Sequence, residues 1–108
     1  MDEKTEYVMC VISLPAENAR AIALRLVNDN AAACVQITNP VTSIYRWEGK
    51  ICEQAEVLLF LKTRMDKISA VTSIINELHP YKVPELIAIP VTYGNPDYLA
   101  WIDEVVCK

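Results

Sequence analysis

AAACVQITNPVTSIYRWEGKICEQAEVLLFLK, from Ala31 to Lys62, decides the fold. It reads as two long apolar-rich strands folded back on one another at Trp47-Glu48-Gly49-Lys50. Each arm is well beyond the five or six residues of an average strand. A chain of 108 residues has only two or so helices with which to cover a sheet. The outer part of the hairpin is therefore left without a partner in its own subunit. Long strands with unpaired edges either aggregate or are paired deliberately, so this stretch by itself predicts an oligomer.

The flanking sequence supplies the rest of a small domain. Tyr7 to Leu14 is an almost wholly apolar run with β-branched residues, which predicts a central strand buried on both faces. After Pro15, the residues Ala19, Ile22, Ala23, Leu26 and Val27 fall on one helical stripe, and Asn28-Asp29-Asn30 ends it. Within the first hairpin arm Pro40 cannot donate to a ladder, so it marks a bulge or an edge. In the second arm Ile51 to Gln54 is mixed, whereas Val57 to Leu61 is apolar throughout. Helices cover one face of that run, and a neighbouring subunit is the economical cover for the other. Met65 to His79 reads as a second helix, Tyr81 to Glu85 as an extended connector, and Leu86 to Thr92 as a last strand carrying Pro90. Asn95-Pro96 is a capping side chain followed by a first-turn proline, and it opens a short C-terminal helix.

The order β-α-β-β-α-β plus a terminal helix predicts an α+β, ferredoxin-like sandwich in one domain, residues 1–108: a four-stranded antiparallel sheet with two helices on one face. A hydrophobic content of 53% against 22% charged residues suits a chain that hides extra apolar surface in a subunit interface. A net charge of −4 with no basic face excludes a nucleic-acid partner. The opening MDEKTEYVM lacks the plan of a secretion signal, and no apolar run is long enough for a membrane span. The expected location is the cytoplasm. Cys10, Cys34, Cys52 and Cys107 form no C-x-x-C pair and fit neither a zinc finger nor a redox dithiol.

Ionisable side chains among apolar neighbours mark the candidate site: Glu56, Lys62, His79, Tyr81 and Glu85. Glu56 and Lys62 flank the buried run, where a charge usually has a partner. His79 is the only histidine, and imidazole is the commonest ligand of transition metals near neutral pH. Its alternative roles are capping the helix and lining a pocket. Tyr45 and Trp47 either stack a planar ligand or pin the hairpin register.

Ala32-Ala33-Cys34-Val35, Thr42-Ser43-Ile44-Tyr45, Trp47-Glu48-Gly49-Lys50, Glu56-Val57, Lys62-Thr63, His79-Pro80-Tyr81, Val83-Pro84-Glu85 and Tyr98-Leu99-Ala100-Trp101-Ile102 occur in the order seen in CutA proteins. The chain thus resembles these divalent-cation tolerance proteins over nearly its whole length. The resemblance implies a tight homotrimer, similar in architecture to the nitrogen-signalling PII trimers and held by strand pairing between subunits. It also implies clefts between subunits lined by Cys34 and Trp47 together with Glu56, Lys62, His79, Tyr81 and Glu85. In bacterial members of the copper-binding type, His79 aligns with a residue implicated in metal binding. Those members carry a second histidine and a cysteine where this chain has Leu78 and Ile12; Cys10 stands two residues before Ile12 on the same strand face.

The function implied is a non-enzymatic trimer that binds divalent metal, Cu(II) or another divalent cation, or a small ligand, in metal tolerance or signalling. Two alternatives belong to other classes. One is an enzyme completed across subunits with Lys62, His79 and Glu85 as acid-base groups; the other is a structural, anchoring trimer without ligand.

Overall fold

The computed structural model describes residues 6–107; the acidic opening MDEKT lies outside the described residues. The elements are β1 (Tyr7–Leu14), α1 (Ala16–Asn28), β2 (Cys34–Ile37), β3 (Val41–Trp47), β4 (Lys50–Arg64), α2 (Ile68–Leu78), β5 (Ile87–Pro90) and α3 (Pro96–Val106). The main sheet runs β2-β4-β1-β5 with every pairing antiparallel, and β3 joins the outer half of β4. This is the ferredoxin-like arrangement, with one refinement. The first hairpin arm is two strands rather than one.

The division falls at Pro40. Ile37 pairs with Leu59 and Val41 with Glu56, so four steps on one strand match three on the other. One extra residue is accommodated between them, which defines a bulge. Thr38 seals its near side: its N–H donates to the Leu58 carbonyl at 3.0 Å, and its hydroxyl oxygen accepts from the Leu58 N–H at 2.9 Å. At the tip, Glu48 and Gly49 have φ of 51° and 80°, the paired left-handed residues of a two-residue type I′ turn.

The core lies between the sheet and the two long helices. Val8, Cys10, Ile12 and Leu14 of β1 and Val57, Leu59 and Leu61 of β4 are buried against Ile22 and Leu26 of α1 and Val71 and Ile75 of α2. Helix α1 ends in a Schellman motif, with Asn30 at φ 59° and N–H bonds from Asn30 to Val27 and from Ala31 to Leu26. The other sheet face is only partly covered. Met9, Val11, Leu58 and Phe60 are half-buried, so β1 alternates where continuous burial was expected. Helix α3 shields one end of that face: the Tyr7 hydroxyl donates to Asp103 at 2.7 Å, and Arg64 pairs with Asp103 at 2.5 Å. Asn95 caps α3 by accepting from the Asp97 N–H, and Pro96 follows it.

Two boundaries differ from the sequence reading. Helix α2 stops at Leu78, after a 3-10 turn over Met65–Lys67, and His79 is extended at φ −74°, ψ 135°. Pro80 forces this by crowding the residue before it out of the helical region. Strand β5 is shorter than Leu86 to Thr92, because the Val91 N–H to Tyr7 carbonyl bond is the last that the start of β1 offers. Donation from Val91 also places the Pro90 nitrogen on the open side of β5, where no ladder bond is lost.

Beyond Val57, the last β4 residue opposite β1, residues 50–56 pair with β3 alone among the described residues. The hairpin therefore projects from the body by about 24 Å at the usual strand rise. The radius of gyration is 14.8 Å, above the ~13 Å of a compact domain of this length.

Candidate ligand cleft

Where the projecting hairpin leaves the sheet, it forms one wall of a cleft of about 640 Å³. Trp47, Gln54 and Glu56 stand on that wall, and Tyr81, Lys82 and Glu85 of the connector after α2 face them. Four side chains are joined in series. The Tyr81 hydroxyl donates to Glu56 Oε2 at 2.8 Å and accepts from Gln54 Nε2 at 2.9 Å. The Tyr45 hydroxyl donates to Gln54 Oε1 at 2.6 Å. Ser13, at the end of β1, donates its hydroxyl to Glu85 Oε1 at 2.9 Å. Burial, then the neighbouring Glu56 carboxylate, push the Tyr81 hydroxyl up to about 12, so it stays protonated and acts as a donor to Glu56.

His79 sits behind this wall and is only 8% exposed. The Tyr81 N–H donates to its Nδ1 at 3.1 Å, which places the proton of the neutral ring on Nε2. That Nε2–H donates to the Ser13 carbonyl at 2.8 Å. The ring also packs against Tyr81 with centroids 4.8 Å apart. Nε2 thus ties the connector to β1 while Nδ1 fixes the connector's own backbone, and a metal at His79 would have to displace one of these two backbone partners. The extended conformation imposed by Pro80 aims the ring at β1.

Of the residues read from sequence, Trp47, Glu56, Tyr81 and Glu85 line one cleft, with His79 supporting it. Cys34 and Lys62 lie elsewhere on the subunit. They are directly opposite each other in the β2–β4 register, where Lys62 is hydrogen-bonded to Gln36. Tyr98 of α3 is beside them, its hydroxyl raised by burial and by Cys34, and its ring packs on Trp101 at 5.5 Å. Among the described residues no three His, Cys, Asp or Glu side chains gather to hold a metal ion.

The sequence reading missed Ser13 and Gln54. Gln54 was accessible by counting outward from the turn, which sets it opposite Ser43 and diagonal to Tyr45. Ser13 contributes its hydroxyl to Glu85 and its main-chain carbonyl to His79, and for the second of these side-chain identity gives no signal.

The family model described as CutA1 divalent ion tolerance protein matches residues 7–105. The chain is 48% identical over 100 residues to the CutA homolog of Xenopus laevis, covering 93% of this chain and 64% of that one. It thus spans less than two thirds of that relative's length. A solved divalent cation tolerance protein from Thermus thermophilus superposes with a TM-score of 0.90 at 42% identity, covering 92% of this chain and 97% of the other. A solved PII-like protein CutA from Nostoc gives 0.82 at 36% identity, covering 88% and 92%.

Proposed function

We propose, from the premise that the chain belongs to the CutA1 family of divalent ion tolerance proteins, that it is a non-enzymatic homotrimer with ligand clefts between subunits. In this reading the cleft takes a small ligand or a divalent cation, and occupancy serves divalent-cation tolerance or signalling. The observation that carries the reading is the hydrogen-bonded series Tyr45–Gln54–Tyr81–Glu56 at the root of a projecting hairpin. It places polar groups in fixed positions at a surface of half-exposed aromatics, as small-molecule sites do.

Three copies are favoured by what one copy leaves open. Among the described residues, the outer edges of β2, β3 and β5 and the inner edge of residues 50–56 have no strand partner. Ile44, Ile51, Ile87 and Ile89 are 41–65% exposed, and covering each stabilises by about 1 kcal/mol. In the trimer proposed here, the Cys34, Lys62 and Tyr98 surface of one subunit closes the Trp47 and Glu56 cleft of the next.

A non-catalytic role is supported by the state of the candidate acid-base groups. His79 has both ring nitrogens bonded to backbone, and Glu85 accepts from Ser13. The proposal gives His79 a positioning role; Cu(II) or another divalent cation would meet the cleft carboxylates first. The free thiols suit a reducing compartment, and the proposed location is the cytoplasm. No helix among the described residues is long and apolar enough to cross a membrane.

A thermal-shift screen of small metabolites and divalent salts tests the reading, because a ligand of the native state stabilises it by mass action. A hit whose shift is lost in Trp47→Ala, without turnover, is the expected result. Turnover of a hit contradicts the non-enzymatic reading, and indifference to every compound leaves the anchoring alternative.

A further inference from the structure

From Glu56 onward, β4 turns its odd-numbered residues to the helices and its even-numbered ones to the open face of the sheet. Glu56, Leu58, Phe60 and Lys62 therefore stand in one row on that face. Their neighbours in register widen it: Val11 and Ile87 lie beside Phe60, and Met9 and Ile89 beside Lys62. The result is an apolar strip with a carboxylate at one end and an ammonium at the other. Ile87 and Ile89 are 50% and 41% exposed, so the strip is open to a partner.

Each end charge lacks its opposite within the subunit. Glu56 is 5% exposed; its Oε2 takes the Tyr81 hydroxyl, while its Oε1 takes no hydrogen bond among the described residues. Oε1 is not sealed in, since no buried side-chain oxygen among them lacks a partner. Lys62 is half-buried, and the one bond of its ammonium among the described residues is to the neutral Gln36 side chain. No ion pair among them includes either residue. Six strand residues set the two about 20 Å apart, beyond the joint reach of their side chains. A buried carboxylate without a countercharge is unfavourable, and one chain cannot supply it from this row.

We infer that this face docks end to end on the same face of another copy, and that Lys62 of the partner subunit donates to Glu56 Oε1 inside the cleft. The pairing rests on the reading of the clefts as shared between subunits, and it names the residue that the second copy adds. A strip with opposite charges at its ends matches its own copy when acid meets base. In a closed ring every subunit gives one Lys62 and receives one at Glu56, so none is left over. The other cations within the subunit's reach are unsuited. Arg64, next in the row after Lys62, is held by Asp66 and Asp103. Lys82 lines the cleft from the exposed connector and makes no ion pair with Glu56. The pair joins the series Tyr45–Gln54–Tyr81–Glu56 of one subunit to Lys62 of the partner subunit, so the polar wall of the cleft is completed only on assembly.

The test is subunit exchange between isotope-labelled and unlabelled full-length assemblies, followed by native mass spectrometry, with sedimentation velocity to establish the assembly of each variant. Lys62→Met and Glu56→Gln are each expected to speed exchange about 10-fold or more, because removing one member of a buried charge pair acts on dissociation. The double variant should exchange little faster than either single one, the mark of two residues acting on each other. Lys62→Arg should stay within a few-fold of the unaltered chain, and Lys82→Met and Lys50→Met within about 2-fold, as exposed charges do. If Glu56→Gln does not assemble, Lys62→Met against Lys62→Arg and Lys82→Met carries the test. Exchange unchanged by Lys62→Met, single effects that multiply in the double variant, or coupling of Glu56 to Lys82 overturns the pair while leaving the shared clefts; the countercharge of Glu56 then falls to a ligand. An unaltered chain that sediments as a folded single subunit at low concentration overturns the shared clefts as well.

Discussion

Replacing His79 with alanine separates a residue that positions the connector from one that holds a metal. The ring is 8% exposed and makes two backbone bonds, at 2.8 Å to the Ser13 carbonyl and 3.1 Å from the Tyr81 N–H. Alanine strands both groups. A buried polar group left without a partner costs about 1–3 kcal/mol, and water entering from the cleft relieves the Tyr81 N–H more easily than the Ser13 carbonyl. The expected loss is about 3 kcal/mol, a large part of a domain's usual 5–15 kcal/mol. His79→Asn keeps an acceptor near the Nδ1 position, His79→Gln keeps a donor near Nε2, and each should recover roughly half of that loss. The assay is urea unfolding of the metal-free protein at fixed subunit concentration, because an oligomer's apparent stability depends on it. A change below about 0.5 kcal/mol in His79→Ala, together with loss of saturable Cu(II) binding, would refute the positioning role and restore His79 as a ligand.

Two further expectations concern pH. The Tyr81 hydroxyl is pushed up to about 12 in the fold, against about 10 for a free tyrosine. The folded state holds its proton more tightly, so its contribution is complete below pH 10 and is lost as pH rises toward 12. Tyr81→Phe should flatten that part of the stability curve and cost about 1 kcal/mol at neutral pH; an unchanged alkaline slope would count against the bond to Glu56. Asp103 is held below the usual carboxylate range by the Tyr7 hydroxyl and then by Arg64. Its contribution is therefore present above about pH 4 and fades as pH falls through the lower folded value. Its side chain is 40% exposed, so solvent screening keeps the effect below about 1 kcal/mol. Asp103→Asn should remove that slope in acid unfolding, and an identical acid profile would contradict the link between α3 and the sheet.

Most of the fold was legible because the signals were local. The turn at Glu48-Gly49, the bulge at Pro40, the cap at Asn95 and the α1 stripe, buried at Ala19, Ile22, Ala23 and Leu26 though Val27 at its edge is exposed, follow from residues within a turn or two of each other. The split of the first arm was half visible: Pro40 announced a bulge, but whether the ladder resumes as the same strand depends on Thr38 gripping Leu58 across the hairpin. His79 was read as the last helical residue, although its own neighbour Pro80 argued for the extended conformation found. Trp47, Glu56, Tyr81 and Glu85 were named from sequence and share one cleft. Their hydrogen-bond order was not legible, since it rests on the register that brings Gln54 between two tyrosines. Cys34 and Lys62 are set apart from them because β2 and β3 meet opposite halves of one long strand. Bringing the two groups together takes a second subunit, and no single-chain signal specifies where that subunit sits.

Sedimentation velocity over a wide concentration range tests the central claim, that three copies complete one another's sheets. The account predicts one species at three times the chain mass down to the lowest measurable concentration, with dissociation only on unfolding. A well-folded single subunit at low concentration, with the Tyr81 and Trp47 resonances unchanged, would contradict it.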